Sequence, residues 1–271
     1  MSLSKKNRNR ITKNETNING TNINGTNKRE IAVGKSVFSV VKEWVLQCIY
    51  PSKCPFCGQV TLAGICESCK KKVRKISGPR CMKCGKPIAD IRQEYCYDCK
   101  KGRHSYEWGK SLWVHRSPVS DAVYQFKYQN KRIYGKIFAG ELAKEYGRLL
   151  QKKGVELLIP IPLHRSRRWK RGYNQAEILA VELGKQTGIP VAKHLLIRTR
   201  RTIPQKKLDH KLRRKNIERA FSVQNNVTTK KVVLIDDIYT TGSTIDEAAK
   251  TLKRAGVQEV GFLTISIGQG Y

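Results

Sequence analysis

Two carboxylates in succession, Asp236 and Asp237, are followed after two intervening residues by Thr240-Thr241-Gly242-Ser243-Thr244. These residue types suit a phosphorylated sugar. Two adjacent acids would repel a polyphosphate, yet they can accept hydrogen bonds from vicinal sugar hydroxyls. The hydroxyl-rich turn opens a helical pattern, and the first N–H groups of a helix suit a phosphate. Gly242 allows close approach of the backbone. No Gly-Lys-Ser/Thr follows, so this is not a Walker loop.

A second constellation is built from sulfur. Eight of the nine cysteines form four Cys-x-x-Cys pairs: Cys54/Cys57, Cys66/Cys69, Cys81/Cys84 and Cys96/Cys99. A two-residue gap lets both thiolates of a tight turn point at one ion, and two such turns complete a tetrahedral S4 site. Gly58 and Gly85 follow the second cysteine of their pairs, where the turn calls for positive φ. The spacing predicts two structural Zn2+ sites rather than disulfides. Sequential pairing and crossed pairing (first with third, second with fourth) both fit. Only His104 and His115 lie nearby, without ligand spacing, so a catalytic zinc with an open position is not expected. Cys48 is left over and reads as a buried core thiol.

Elements must position these groups. Val232–Ile235 is a buried strand pattern that delivers the two acids at its exit. Further strand patterns cover Leu112–His115, Leu157–Pro162, Val191–Arg198, Ala220–Val223 and Val260–Ile267. Helical patterns cover Val119–Tyr128, Ile133–Leu150, Asn174–Thr187 and Ser243–Ala255. Such alternation predicts an α/β fold with a parallel sheet covered on both faces. Its ligands bind at the carboxyl ends of strands. The expected organisation is a basic, Asn-rich disordered tail over 1–30, an amphipathic helix over 31–50, a double zinc ribbon over 51–103 and the α/β domain over 110–271. The apolar stripe of 31–50 packs on the next domain or rests on a membrane surface. No run is long and apolar enough to span a membrane, and 1–30 lacks the apolar core of a signal peptide, so a cytoplasmic protein is expected.

The charge points to anions. The 271 residues carry 54 Lys+Arg against 21 Asp+Glu, a formal net charge of +33. Residues 163–219 alone hold 17 basic and 4 acidic side chains. That balance argues against a protein handling only neutral or cationic substrates, and it favours nucleic acid, phosphate-rich ligands or an anionic surface.

Leu234-Ile-Asp-Asp-Ile-Tyr-Thr-Thr-Gly-Ser-Thr244 resembles the signature of type I phosphoribosyltransferases. Ile159-Pro-Ile-Pro-Leu163, Arg171-Gly-Tyr-Asn-Gln-Ala176, the later Arg198, Arg200, Pro204, Gln205, Leu208, Arg213 and Asn216, and the zinc ribbon after Tyr50-Pro51 are together similar to the ComF family of competence-associated proteins. The resemblance covers about 40–271. It implies that Asp236 and Asp237 hold the ribose hydroxyls of phosphoribosyl pyrophosphate. It also implies that Thr240, Thr241, Gly242, Ser243 and Thr244 hold its 5-phosphate, with Mg2+ bridging the diphosphate and ribose hydroxyls. The turn after Leu157–Pro162 matches the family's pyrophosphate loop. There His164 and Arg165 are candidates for pyrophosphate, and Arg171, Tyr173, Asn174 and Gln175 for base or pyrophosphate. Residues 199–219 take the place of the mobile flap.

Two functions fit. One is a Mg2+-dependent phosphoribosyltransferase with an unnamed acceptor. The other is a single-stranded DNA-binding accessory protein for transformation, with a sensing or vestigial pocket and a possible helicase partner. The resemblance links both to DNA uptake in natural competence.

Overall fold

Val232–Ile235 and Val260–Ile265 contain no exposed residue, a pattern that only strands covered on both faces can satisfy. They lie at the centre of a four-stranded parallel sheet in the computed structural model, which describes residues 51–62, 64–102, 104–200, 217–224 and 227–268. The tail expected over 1–30, the helix over 31–50 with Cys48, and most of the flap (201–216) lie outside the described residues.

The described elements run in this order: α1 (Glu67–Lys72), α2 (Tyr97–Lys101), β1 (Trp108–Val114), α3 (Val119–Tyr128), α4 (Ile133–Lys152), β2 (Leu157–Pro160), α5 (Arg165–Arg171), α6 (Gln175–Thr187), β3 (Leu196–Arg198), β4 (Phe221–Val223), β5 (Lys231–Tyr239), α7 (Ser243–Arg254) and β6 (Glu259–Ile267). The strand order is β1-β6-β5-β2, and each pair is parallel.

Side chains alternate along the strands, so each strand serves two cores. Val233, Ile235, Leu263 and Ile265 face one layer, with Phe126 of α3, Phe138 and Leu142 of α4, and Leu179 and Leu183 of α6. Val232, Leu234, Val260 and Phe262 face the other, with Ala248 and Leu252 of α7, and Leu196 and Phe221 of β3 and β4.

Several elements differ from the sequence reading: β1 begins at Trp108 rather than Leu112, and β2 ends at Pro160 rather than Pro162. Val191–Arg198 does not join the parallel sheet. Val191 makes an isolated parallel bridge to Leu158, Lys193 and His194 interrupt the apolar run in a turn, and only Leu196–Arg198 forms a strand. That strand pairs antiparallel with β4, outside the main sheet. Helix α5 was not foreseen, because Arg-Ser-Arg-Arg-Trp-Lys-Arg has no apolar stripe to reveal its period. Strand β5 also runs past the acids to Tyr239, because β6 continues beside it to Ile267.

Candidate functional site

On one side β5 loses its neighbour early: β2 pairs as far as Pro160 with Ile235. The next two residues are Asp236 and Asp237, so both acids emerge at the carboxyl end of the sheet beside an open strand edge. Strand alternation sends them to opposite faces. Asp237 turns toward the α3 layer, where Lys127 Nζ lies 2.9 Å from its Oδ1. Asp236 turns toward the β3 layer and feels the charge of Arg198. Its Oδ1 also accepts the Asp237 N–H at 2.8 Å. Burial pushes the Asp236 carboxyl up to about 7, and the neighbouring Asp237 carboxylate pushes the same way. Burial likewise lowers Arg198 to about 10, with the nearby Arg167 charge adding to it and Asp236 opposing it.

Lys127 and Arg198 were not assigned a role from the sequence. Lys127 stands more than a hundred residues before its partner, and no local spacing marks it. Arg198 fits the family pattern, which by itself gives the residue no role.

After Tyr239 the chain turns through Thr240–Gly242 into α7. Gly242 occupies the N-cap position with φ +77°. A Cβ there would sit 2.4 Å from Tyr239 Oη, so the turn wraps directly onto that ring and only glycine fits. No side chain caps the helix start, and Thr241 Oγ1 lies 2.9 Å from Ser243 Oγ. The segment therefore offers backbone N–H groups and hydroxyls on one short arc.

The second loop at this end follows β2. The Ile161 N–H donates to Ile235 O at 2.9 Å, holding the loop beside β5. His164 caps α5, accepting the Ser166 N–H through Nδ1. Arg165 is exposed at its start. Arg171 donates to Gln175 Oε1 at 3.1 Å and to Tyr128 Oη at 3.0 Å. Asn174 is buried. Its Nδ2 donates to Ile161 O at 3.0 Å, while its Oδ1 accepts the Ala176 N–H at 3.2 Å and caps α6. The Tyr173 hydroxyl donates to Phe126 O, and Gln175 Nε2 donates to Lys127 O at 3.3 Å. Residues 171–175 thus tie the loop after β2 to the end of α3, the turn of chain that presents Lys127.

The cysteines resolve into two sequential sets. The sulfurs of Cys54, Cys57, Cys66 and Cys69 lie within 4.8 Å of one another, and so do those of Cys81, Cys84, Cys96 and Cys99. Cys57–Cys66 and Cys84–Cys96 are each 3.6 Å apart at sulfur. A tetrahedron with Zn–S bonds of about 2.3 Å has edges of about 3.8 Å, so both sets fit structural Zn2+. The two halves repeat one hydrogen-bond pattern: Cys54 N to Gln59 O and Gly58 N to Cys54 O, then Cys81 N to Lys86 O and Gly85 N to Cys81 O. Phe56 of the first ribbon packs edge-on against Trp113 at 5.4 Å. The second ribbon sits so close to β1 that a Cβ on Gly85 would meet Gly109 O at 2.5 Å.

The sheet, its paired acids and the two sulfur tetrads define a zinc-ribbon protein with a fold of the type I phosphoribosyltransferase kind. Residues 45–100 match the double zinc ribbon domain family, and residues 170–266 match the phosphoribosyl transferase domain family. Over 203 residues the chain is 34% identical to Competence protein F of Haemophilus influenzae, an alignment spanning 73% of this chain and 87% of that protein. It is 30% identical over 199 residues to Competence protein ComFC of Bacillus subtilis, spanning 71% and 79%. It is 28% identical over 200 residues to the DNA utilization protein YhgH of Escherichia coli K12, spanning 73% and 87%. The chain belongs to the ComF family. Among solved structures, the purine phosphoribosyltransferase from Pyrococcus horikoshii Ot3 aligns over 49% of this chain and 83% of that one, with 14% identity and a TM-score of 0.32.

Among the described residues, no helix is long and apolar enough to cross a membrane.

Proposed function

We propose that the chain binds phosphoribosyl pyrophosphate at the carboxyl ends of β2 and β5 and serves the handling of DNA during competence. The observation that carries this reading is the succession of two strand-end acids and a glycine-capped turn on one continuous segment, Asp236–Thr244. Asp236 and Asp237 accept the ribose hydroxyls. Residues Thr240, Thr241, Gly242, Ser243 and Thr244 surround the 5-phosphate. His164 and Arg165, at the start of α5, are near enough in sequence to β2 to meet the pyrophosphate, with Mg2+ shared between diphosphate and ribose. Tyr173, Asn174 and Gln175 are buried and hold this loop in place, while the half-buried Arg171 is the one of the four exposed enough to meet an acceptor base or the pyrophosphate. Transfer from this sugar displaces pyrophosphate at C1 and needs orientation and charge neutralisation rather than a protein nucleophile.

A nucleic-acid partner is favoured by a separate observation. Trp169 is 91% exposed on α5, among Arg165, Arg167, Arg168, Lys170 and Arg171. An exposed aromatic ring set among cations is the arrangement on which single-stranded bases stack while their phosphates are neutralised. The names of the relatives, a competence protein and a DNA utilization protein, support the same partner.

The test is calorimetry with phosphoribosyl pyrophosphate and Mg2+, followed by a pyrophosphate-release screen across nucleobases. Saturable binding that is lost in Asp236→Asn/Asp237→Asn, with single-stranded DNA affinity kept, supports the reading. Absence of binding to the unaltered chain refutes it.

A further inference from the structure

The phosphate turn has the second zinc ribbon behind it. The chain leaves the last knuckle at Cys99, ends α2 at Lys101, and within five residues delivers His104, Ser105 and Tyr106 to the far side of the turn. Tyr106 is fully buried, and its hydroxyl lies 2.7 Å from that of Tyr239, itself 1% exposed. The Ser105 N–H donates to Asp246 Oδ1 at 2.5 Å. The His104 ring stacks on Tyr106 with centroids 4.9 Å apart, and its Nδ1 lies 3.7 Å from the same Asp246 oxygen. Tyr239 is the residue before Thr240, and Asp246 lies in the first turn of α7. The ribbon exit therefore grips the chain on both sides of 240–244.

The grip reaches the turn itself. Gly242 lies against Tyr239 Oη and Cζ, at 2.4 and 2.8 Å from the position of its missing Cβ. Tyr239 is stacked on Phe262 at 4.7 Å, and Tyr106 stands edge-on to both rings. Cys81, Cys84 and Cys96 belong to the same apolar cluster as Tyr106, Tyr239 and Ile245. The first ribbon lies elsewhere: Cys54 and Cys69 share the opposite cluster with Trp113 and Phe138.

We propose that Tyr106 is a positioning residue for the phosphate turn, and that through it the second zinc ribbon, and not the first, holds Tyr239 and Gly242 in the binding geometry. The inference rests on the reading of Thr240–Thr244 as the 5-phosphate site. Its physical basis is the asymmetry of a buried hydroxyl pair. With one oxygen removed, the remaining hydroxyl is left without that partner and must shift to find another. At Tyr239 such a shift takes the ring from beneath Gly242, and a turn that is no longer preorganised binds more weakly.

The experiment uses the full chain with zinc bound and compares Tyr106→Phe with the unaltered protein. Tyr106→Phe keeps the ring, and metal analysis verifies that it keeps both zinc ions. Calorimetry with Mg2+ then compares phosphoribosyl pyrophosphate with inorganic pyrophosphate. The expected result is a loss of about tenfold for phosphoribosyl pyrophosphate, the factor that corresponds to about 1.4 kcal/mol, and none for pyrophosphate. Tyr106→Phe/Tyr239→Phe, which removes both hydroxyls, recovers most of the affinity. Equal affinity for phosphoribosyl pyrophosphate in Tyr106→Phe, or equal losses for both ligands, overturns the inference. If the unaltered chain does not bind phosphoribosyl pyrophosphate, the reading of the turn itself falls, and this inference with it.

Hydrogen exchange gives a ligand-free measurement. Amides of 240–246 exchange faster in Tyr106→Phe, while those of α6 do not change. Opening the second ribbon with Cys96→Ser/Cys99→Ser repeats that acceleration, and opening the first with Cys57→Ser/Cys66→Ser does not. Acceleration by both ribbons alike, or by neither, removes the second ribbon from the argument.

Discussion

Lys127 Nζ, in the last turn of α3, lies 2.9 Å from Asp237 Oδ1, two residues before the end of β5. Their side chains are only 17% and 11% exposed. One of the two acids thus arrives already paired, while burial pushes its neighbour Asp236 up to about 7. The pairing follows from strand alternation, which turns the two acids to opposite faces where different layers meet them.

Removing one member of this pair leaves a largely buried charge unmatched. Lys127→Met is expected to destabilise the chain by about 1–3 kcal/mol in urea unfolding, less than a fully buried pair would because water still reaches both groups. Lys127→Met/Asp237→Asn should recover most of that loss. Additive losses in the double variant would show that the two side chains act independently.

Asp236 gives a pH dependence of defined sign. Its folded value, about 7, lies above the ordinary 3.8. An acid raised on folding contributes stability that is full below the unfolded value and is lost as pH rises through the folded one. Asp236→Asn lacks the ionising group, so its gain in Tm over the unaltered chain should be larger at pH 8 than at pH 5. Under the proposed function the same substitution should weaken phosphoribosyl pyrophosphate binding, the expected opposition of stability and function at a site. Thermal unfolding at the two pH values checks this, and a gain independent of pH would contradict it.

Metal analysis of the purified chain should find two zinc ions. Ser at one cysteine of either tetrad should lower the content to about one and leave the other site filled, because the two S4 sets share no sulfur. A content of one in the unaltered protein would refute the double site.

Trp169 and its neighbouring cations should separate by salt. Trp169→Ala is expected to weaken single-stranded DNA binding by roughly 5- to 150-fold, the range that loss of one stacked base gives, without changing the salt slope. Arg168→Ala/Lys170→Ala should instead flatten the dependence of log affinity on log salt. A titration series from 50 to 200 mM salt, as about the span over which phosphate contacts are lost, distinguishes the two. Unchanged affinity in Trp169→Ala would exclude stacking at α5.

Local patterns were enough for the parts of this protein whose chemistry is written along the chain. The knuckles announce themselves because a two-residue gap in one tight turn aims both thiolates at one ion, and Asp236–Thr244 stands out because a strand, a turn and a helix start are consecutive. The apolar run Val232–Ile235 likewise marked the centre of β5 as a buried strand, and Val260–Ile267 marked β6 as a strand. The tertiary structure decided what depends on distant meetings. It set the sulfurs into sequential tetrads where sequence spacing allowed two pairings. It brought Lys127 to Asp237 and Tyr106 to Tyr239 across more than a hundred residues each. It drew Val191–Arg198 out of the parallel sheet, because pairing with β4 is a contact that no local period encodes. Side-chain spacing records only neighbours along the chain, whereas the pairing of buried charges and hydroxyls depends on which layers the sheet brings together.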